Sequence, residues 1–305
     1  MFTSKKLYLV FLFALFLLAG CKTQPAVLPK KSVQRIISLS PHITEIIYAL
    51  QQQDKLVAVS DFCSYPPQVK QKQRIGGLLN PNLEKILLLK PDILIGTPAH
   101  ASLAAKLKAS HLPVILLPND RLKDVFFTID SLGRLLDCEK QARFLVQTIR
   151  DSLDFYRNLA KQLMPQKPSA ALIIGRDPGS VRHLTVVGPH TFLDSLWIML
   201  GGKNIFSDLK VKYAQVGQES FLTRKPQIII EFKFKEQWNA RKDSLNRLEW
   251  QSLSEIPAVQ KGHIFVLTGD YTLIPGPRIY LLARDYYKIL RTLKSVTMAA
   301  EKDAF

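Results

Sequence analysis

Between residues 35 and 135 the chain alternates short apolar runs with segments whose apolar residues recur every three or four positions. Arg35-Ile36-Ile37-Ser38-Leu39-Ser40 is β-rich, and Pro41 then opens a stretch in which Ile43, Ile46, Ile47 and Leu50 share one helical face. Leu56 to Ser60 predicts the next strand. After a loop carrying Tyr65-Pro66-Pro67 and Gly76-Gly77, Leu83 to Leu89 reads as helix, and Pro91 separates it from a strand at Asp92 to Ile95. Ala101 to Ser110 predicts a helix and Pro113 to Leu117 a strand. Leu122 begins a helical pattern that runs to about Met164, with a break near Asp137-Cys138. Such βα units favour parallel pairing with helices on the sheet faces.

The second half repeats this grammar. Glu84 is followed six residues later by Lys90-Pro91-Asp92-Ile93-Leu94-Ile95, and Glu219 six residues later by Lys225-Pro226-Gln227-Ile228-Ile229-Ile230, an offset of 135 in both parts. Ser40-Pro41-His42 leads into one apolar helix, and Gly188-Pro189-His190 into another from Thr191 to Leu200. The fold class expected is α/β, with two similar lobes built on mainly parallel sheets, joined by one long helix and enclosing a ligand cleft. The organisation expected is a leader over 1–20, a tether over 21–34 and an N-terminal lobe over 35–137. A connecting helix over 138–167, a C-terminal lobe over 168–295 and a tail over 296–305 complete it.

At the amino terminus Lys5 and Lys6 precede a charge-free apolar run from Leu7 to Ala19, ending in Leu18-Ala19-Gly20-Cys21. That pattern reads as a secretory signal, and thirteen apolar residues are few for a hydrocarbon core of ~30 Å. The Leu-Ala-Gly-Cys context predicts lipidation at Cys21, with Thr23 to Lys31, containing Pro25 and Pro29, as a tether. The chain is expected to be exported and held on a bacterial membrane, facing periplasm or cell exterior. Lys22 follows the cysteine instead of the aspartate that retains some lipoproteins at the inner membrane, which leaves the choice of membrane open.

The formal net charge is +17, compatible with nucleic acid, anionic lipid or an anionic ligand. Export argues against nucleic acid, and the lysines are scattered, as on a solvated surface. Cys63 and Cys138 can be free or bridged, because two cysteines do not make a disulfide framework. No CxxC or HExxH spacing occurs, so no metal site is expected. Ser40, His42 and Glu45 superficially offer nucleophile, base and acid, but their spacing does not create triad geometry and no Gly-x-Ser-x-Gly elbow is present. Paired carboxylates for glycoside chemistry would have to be Glu84 and Glu219, which the repeat assigns to separate lobes. A secreted hydrolase is thus disfavoured and no catalytic residue is expected.

Several motifs in order resemble the periplasmic-binding family that serves iron-siderophore, haem and cobalamin importers. They are Arg35-Ile36-Ile37-Ser38-Leu39-Ser40-Pro41 with Thr44-Glu45, Tyr65-Pro66-Pro67, Asn82-Leu83-Glu84 with Lys90-Pro91-Asp92, Gly201-Gly202-Lys203-Asn204-Ile205-Phe206, and Pro277-Arg278-Ile279. The resemblance covers nearly all of residues 33–293. It implies two α/β lobes bridged by one rigid helix, a shallow cleft that closes little, and a monomer working with an ABC permease dimer. It also implies that Glu84 and Glu219 dock onto arginines of the paired permease subunits, a role suited to bidentate pairing.

By the same resemblance Phe62 and Tyr213 stand where cobalamin-carrying members clamp the corrin with aromatic rings, whereas Leu78 and Thr97 stand where those members carry tryptophan. Tyr271, beside Asp270, falls at another such aromatic position. Arg176, Arg182 and Arg278 are candidates for an anionic ligand, since a guanidinium matches carboxylate or catecholate oxygens. Haem would call on a Tyr or His ligand, with His42 best placed, then His100 and His183. The bound molecule expected is cobalamin, a ferric siderophore or haem, with no resident cofactor. A scaffold that kept the fold and lost its ligand is the remaining alternative.

Overall fold

The computed structural model describes residues 32–77, 80–107, 110–163, 167–233 and 238–302. The leader, Cys21, Thr23 to Lys31 and Leu78 lie outside the described residues. No helix among the described residues is long and apolar enough to cross a membrane.

The N-terminal lobe is a five-stranded, wholly parallel sheet. Its strands are β1 (Ile36–Ser38), β2 (Leu56–Val59), β3 (Gln73–Arg74), β4 (Ile93–Gly96) and β5 (Val114–Leu116), in the order β3-β2-β1-β4-β5. β1 and β4 are buried throughout because helices cover both faces, which is why they read as unbroken apolar runs instead of alternating ones. Three helices serve this sheet: α1 (Pro41–Ala49), α2 (Leu83–Leu88) and α3 (Ala101–Leu107). Pro41 sits in the first turn of α1, where its missing N–H costs nothing, and Ile43, Ile46 and Ile47 carry the predicted buried face.

The long helical pattern splits as expected into α4 (Leu122–Leu135) and α5 (Glu139–Lys161). The break falls where Asp137 adopts φ +56° and Cys138 caps the 23-residue α5. Gly133 lets the two helices touch, since a Cβ there would stand 2.5 Å from that of Ala142.

The C-terminal lobe carries β6 (Ser169–Gly175), β7 (Leu184–Val187), β8 (Lys203–Asn204), β9 (Tyr213–Val216), β10 (Ile228–Phe232) and β11 (Ile264–Leu267). Its main path is β11-β10-β6-β7-β9, with β8 alongside β6. The pairs β10·β11, β10·β6 and β6·β8 are parallel, but β6·β7 and β7·β9 are antiparallel, so this sheet is mixed where the first is purely parallel. Its helices are α6 (Phe192–Met199), α7 (Gln218–Arg224), α8 (Ala240–Trp250), α9 (Pro257–Gln260) and α10 (Ile279–Lys302).

The two lobes share one apolar core. Ile36, Ile43 and Ile95 of the first lobe, Leu132, Ile149 and Leu153 of α4 and α5, Leu172 and Ile230 of the second, and Tyr286 of α10 belong to a single buried cluster. Smaller clusters fill the outer faces, around Ile37, Leu94 and Leu103 in one lobe and around Ile173, Phe221 and Trp250 in the other. Shared packing of this kind opposes a large hinge motion, because parting the lobes would expose apolar surface at about 25 cal/mol per Å².

The internal repeat holds at the Glu-to-Pro segments. Glu84 and Glu219 are the second residues of α2 and α7. Both helices end at a left-handed lysine, Lys90 at φ +43° and Lys225 at φ +45°, ahead of the proline and the next strand. The Pro-His correspondence does not hold. Pro41 and His42 lie inside α1, whereas Pro189 and His190 precede α6 in a turn with His190 at φ +67°, and Thr191 caps the helix.

Candidate ligand cleft and docking surfaces

Segments that follow strands of the first lobe reach the second lobe. The segment after β1 leads into His42 and Glu45, and that after β5 leads to Asp120; both touch the C-terminal lobe. Arg278, ahead of α10, donates through Nε and Nη2 to the two carboxylate oxygens of Glu45 at 2.9 and 2.6 Å. Its Nη1 reaches Asp270 at 2.9 Å, and its guanidinium lies 3.7 Å above the Tyr65 ring. Glu45 is buried, which pushes its carboxyl upward against the pull of Arg278.

On the other side Lys212 pairs with Asp120, and the Phe192 N–H donates to the Asp120 carbonyl at 2.7 Å. Two polar contacts thus cross between the lobes, Glu45–Arg278 and Asp120–Lys212. The chain passes close by again at Gly276, where an added Cβ would stand 3.4 Å from the Glu45 Oε2 and 3.5 Å from the His42 Cβ. A cavity of about 600 Å³ beside the Asp120 contact is lined from both lobes, by Arg121, Lys123 and Phe126 on one side and His190 and Ser195 on the other.

Phe62 follows the carboxyl end of β2 and is 62% exposed; Tyr213 opens β9 and is 37% exposed. Partial burial, with Asp120 nearby, pushes the Tyr213 phenol up to about 12. Tyr271 is pinned: its hydroxyl donates to Asp285 at 2.5 Å and accepts from Arg284 at 3.1 Å, and burial with the Asp285 bond lifts its pKa to about 12. Its ring stands 5.8 Å from Arg278, so Tyr65, Tyr271, Asp270 and Arg278 form one group.

Other candidates lie elsewhere. Arg176 is buried at the carboxyl end of β6, and all five N–H groups are consumed within its own lobe. They go to Glu231, Glu249, Asn246 and the carbonyls of Asp177 and Ser180. This departs from the expectation that Arg176 meets an anionic ligand, because no donor is left to do so. Arg278 is engaged less completely, with four of its five N–H groups directed to Glu45 and Asp270. Arg182 is exposed, and the neighbouring His183 bonds Asp177 at 2.7 Å.

His42 is buried, with Nδ1 2.9 Å from the Ser40 hydroxyl and Nε2 without a hydrogen-bond partner. Burial, aided by His100, lowers its pKa to about 4, so the ring is neutral and offers no face to a ligand in the cleft. The Ser40–His42 contact is no triad, since Glu45 is held by Arg278 instead of His42. His100 is likewise buried, hydrogen-bonded to Thr97. Cys63 and Cys138 are buried free thiols; the Cys63 sulfur lies 3.2 Å from the Thr44 hydroxyl. Among the described residues no cluster of three or more His, Cys, Asp and Glu could hold a metal ion.

Sequence reading missed three partners. Asp120, Lys212 and Glu45 acquire their positions through contacts 92 to 233 residues apart, which leave no local periodicity. Lys233, at the end of β10, stands 5.7 Å from the Trp238 ring and pairs with Glu231 at 2.8 Å. A lysine following the apolar strand was the available signal.

Two α/β lobes on a shared core, with a cleft crossed by fixed contacts, are the architecture of a solute-binding protein. The chain belongs to the periplasmic binding protein family, whose model matches residues 36–271. The vitamin B12-binding protein of Vibrio cholerae is 31% identical over 269 residues, 83% of this chain and 88% of its own length. The crystal structure of the periplasmic vitamin B12-binding protein of Vibrio cholerae superposes with a TM-score of 0.72 at 29% identity, covering 85% of this chain and 97% of that one. That of a possible iron-binding periplasmic solute-binding protein from Staphylococcus epidermidis also gives 0.72, at 27% identity, over 85% and 99%.

Proposed function

We propose that this protein is the lipid-anchored substrate-binding component of an ABC importer, which captures cobalamin or a ferric siderophore and delivers it to the permease. The observation that carries the reading is the pair of exposed aromatic rings, Phe62 on the first lobe and Tyr213 on the second, on two lobes linked by the Glu45–Arg278 and Asp120–Lys212 pairs. A flat macrocycle or an aromatic chelate is the ligand such rings favour, through stacking and apolar burial. Membership of the family and the vitamin B12-binding relatives support a corrinoid. The iron-binding relative supports a chelate. The absence of tryptophan at Leu78 and Thr97 favours the broader class over cobalamin alone. Haem is the second reading and would need an exposed ligand, which buried His42 does not supply. Cys21 carries the anchor, and Glu84 and Glu219, both exposed on matched helices, face the permease subunits.

The test is a titration against cobalamin, ferric siderophores and haem, followed by intrinsic fluorescence. One ligand is expected to saturate, and Phe62→Ala with Tyr213→Ala to weaken it more than tenfold, about 1.4 kcal/mol. Unchanged affinity in the double variant would remove these rings from the site, and silence across the panel would favour a scaffold.

A further inference from the structure

The two docking helices match in their charges and differ in their apolar surface. With the offset of 135, Glu84 aligns with Glu219 and Lys90 with Lys225, down to the left-handed backbone of both lysines. The inward residues also match, Ile86 with Phe221, both buried. Around them the outward positions diverge. Leu83, Leu87 and Leu88 of α2 are 36%, 45% and 78% exposed, whereas their counterparts on α7 are Gln218, the half-buried Leu222 packed into the core, and exposed Thr223. At two of the three sites the matched helix carries a polar residue, and the exposure of Leu87 and Leu88 shows that neither is spent on the lobe's own core. Three clustered leucines beside one carboxylate form a patch that water does not favour and a partner can cover.

We infer that α2 is the apolar anchor of docking: Leu87 and Leu88 bury against apolar side chains of a permease subunit next to the cation that takes Glu84, while α7 makes polar contact alone. This rests on the docking reading above and assigns it a polarity. The N-terminal lobe carries most of the affinity, and the C-terminal lobe sets orientation through Glu219. Two subunits with equivalent basic groups can thereby receive a pseudo-symmetric receptor in one orientation out of two.

The experiment reads the far lobe while altering the near one. A benzoylphenylalanine replaces Thr223 in the full chain, in the cells that make it, and light-induced adducts are identified by peptide sequencing. The same reporter is then placed in a chain carrying Leu87→Gln and Leu88→Thr, whose melting should match the parent because both leucines are exposed. The expected result is an adduct with a multi-span membrane subunit in the parent, reduced at least tenfold in the double variant. An adduct of equal yield in both would overturn the anchor and leave docking standing. No membrane-subunit adduct in the parent would overturn both, and a receptor–receptor adduct would assign the leucines to self-association instead.

Discussion

The two lobes place polar groups at the same point, the carboxyl ends of their central strands, and fill it with opposite chemistry. In the first lobe the groups behind the Glu45–Arg278 pair are neutral. The Thr44 hydroxyl donates to Ser38 at 2.8 Å, Ser38 donates to the Ser40 carbonyl, Ser40 meets His42, and the Thr97 N–H donates to His100 at 3.0 Å. In the second lobe they are ions. Glu231, fully buried, takes Arg176 at 3.1 Å, Lys233 at 2.8 Å and the Trp250 indole N–H at 2.6 Å, and Arg176 goes on to Glu249. Burial alone would raise the Glu231 carboxyl, but Lys233 and Arg176 bring it below its ordinary value. Hydroxyls and imidazole can be buried at modest cost when bonded, whereas an ion cluster is stable only while complete. The first lobe should therefore respond to protons and the second to the loss of a partner.

The largest effect is expected from Glu231→Ala. It leaves Arg176 and Lys233 buried or half-buried without their shared counter-ion, at a cost of about 3–5 kcal/mol in denaturant unfolding. A loss below about 1 kcal/mol would show that the cluster is not acting as a unit and would erase the contrast between the lobes.

The next effect is a pH dependence in the first lobe. The folded pKa of His42 is about 4 against 6.5 for the free side chain, so the unfolded chain binds the proton first as pH falls. The stability owed to neutral His42 is complete above about pH 6.5 and is lost progressively down to pH 4, on the order of 3 kcal/mol in all. His42→Gln removes that slope, measured as the difference between parent and variant midpoints across this window. Parallel curves would mean that the buried ring does not set the acid limit. The charge interaction with His100 is one cause of the His42 shift, so the slope lost in the variant is that of His42 together with this coupling.

How much of this was legible follows from distance along the chain. The α1 face of Ile43, Ile46 and Ile47, the break at Asp137 and the Glu84/Glu219 repeat are local patterns, and all three are present in the fold. The antiparallel β7 and β9 were not expected, because Leu184 to Val187 is too short and apolar to reveal its direction of pairing. Arg176 and Arg278 were visible as arginines, but their engagement was not, since their carboxylates arrive from 55 to 233 residues away. A charged residue in sequence shows its chemistry and hides its partner, so ligand candidates drawn from charge alone favour residues the fold has already paired. Exposed aromatics such as Phe62 survive that filter because no internal partner consumes them.

The smallest effect concerns the pin that joins the lobes. Arg278 is the C-terminal lobe's one described link to Glu45, and Glu45 is almost wholly buried, so Arg278→Met leaves a carboxyl with no cation. That carboxyl is already pushed upward by burial and can escape by taking a proton, which limits the cost to about 2 kcal/mol instead of the full penalty of a stranded ion. Glu45→Gln alone should cost a similar amount by leaving Arg278 with Asp270 only. Because the two residues share one interaction, the double variant should lose less than the sum, with a coupling of about 1–2 kcal/mol in a double-mutant cycle. The cycle also tests what the pin is for. If the shared core already holds the lobes, as the continuous packing through α4, α5 and α10 argues, small-angle scattering of the double variant should match the parent. A larger radius of gyration would instead make Arg278 the clasp that keeps the cleft at its width.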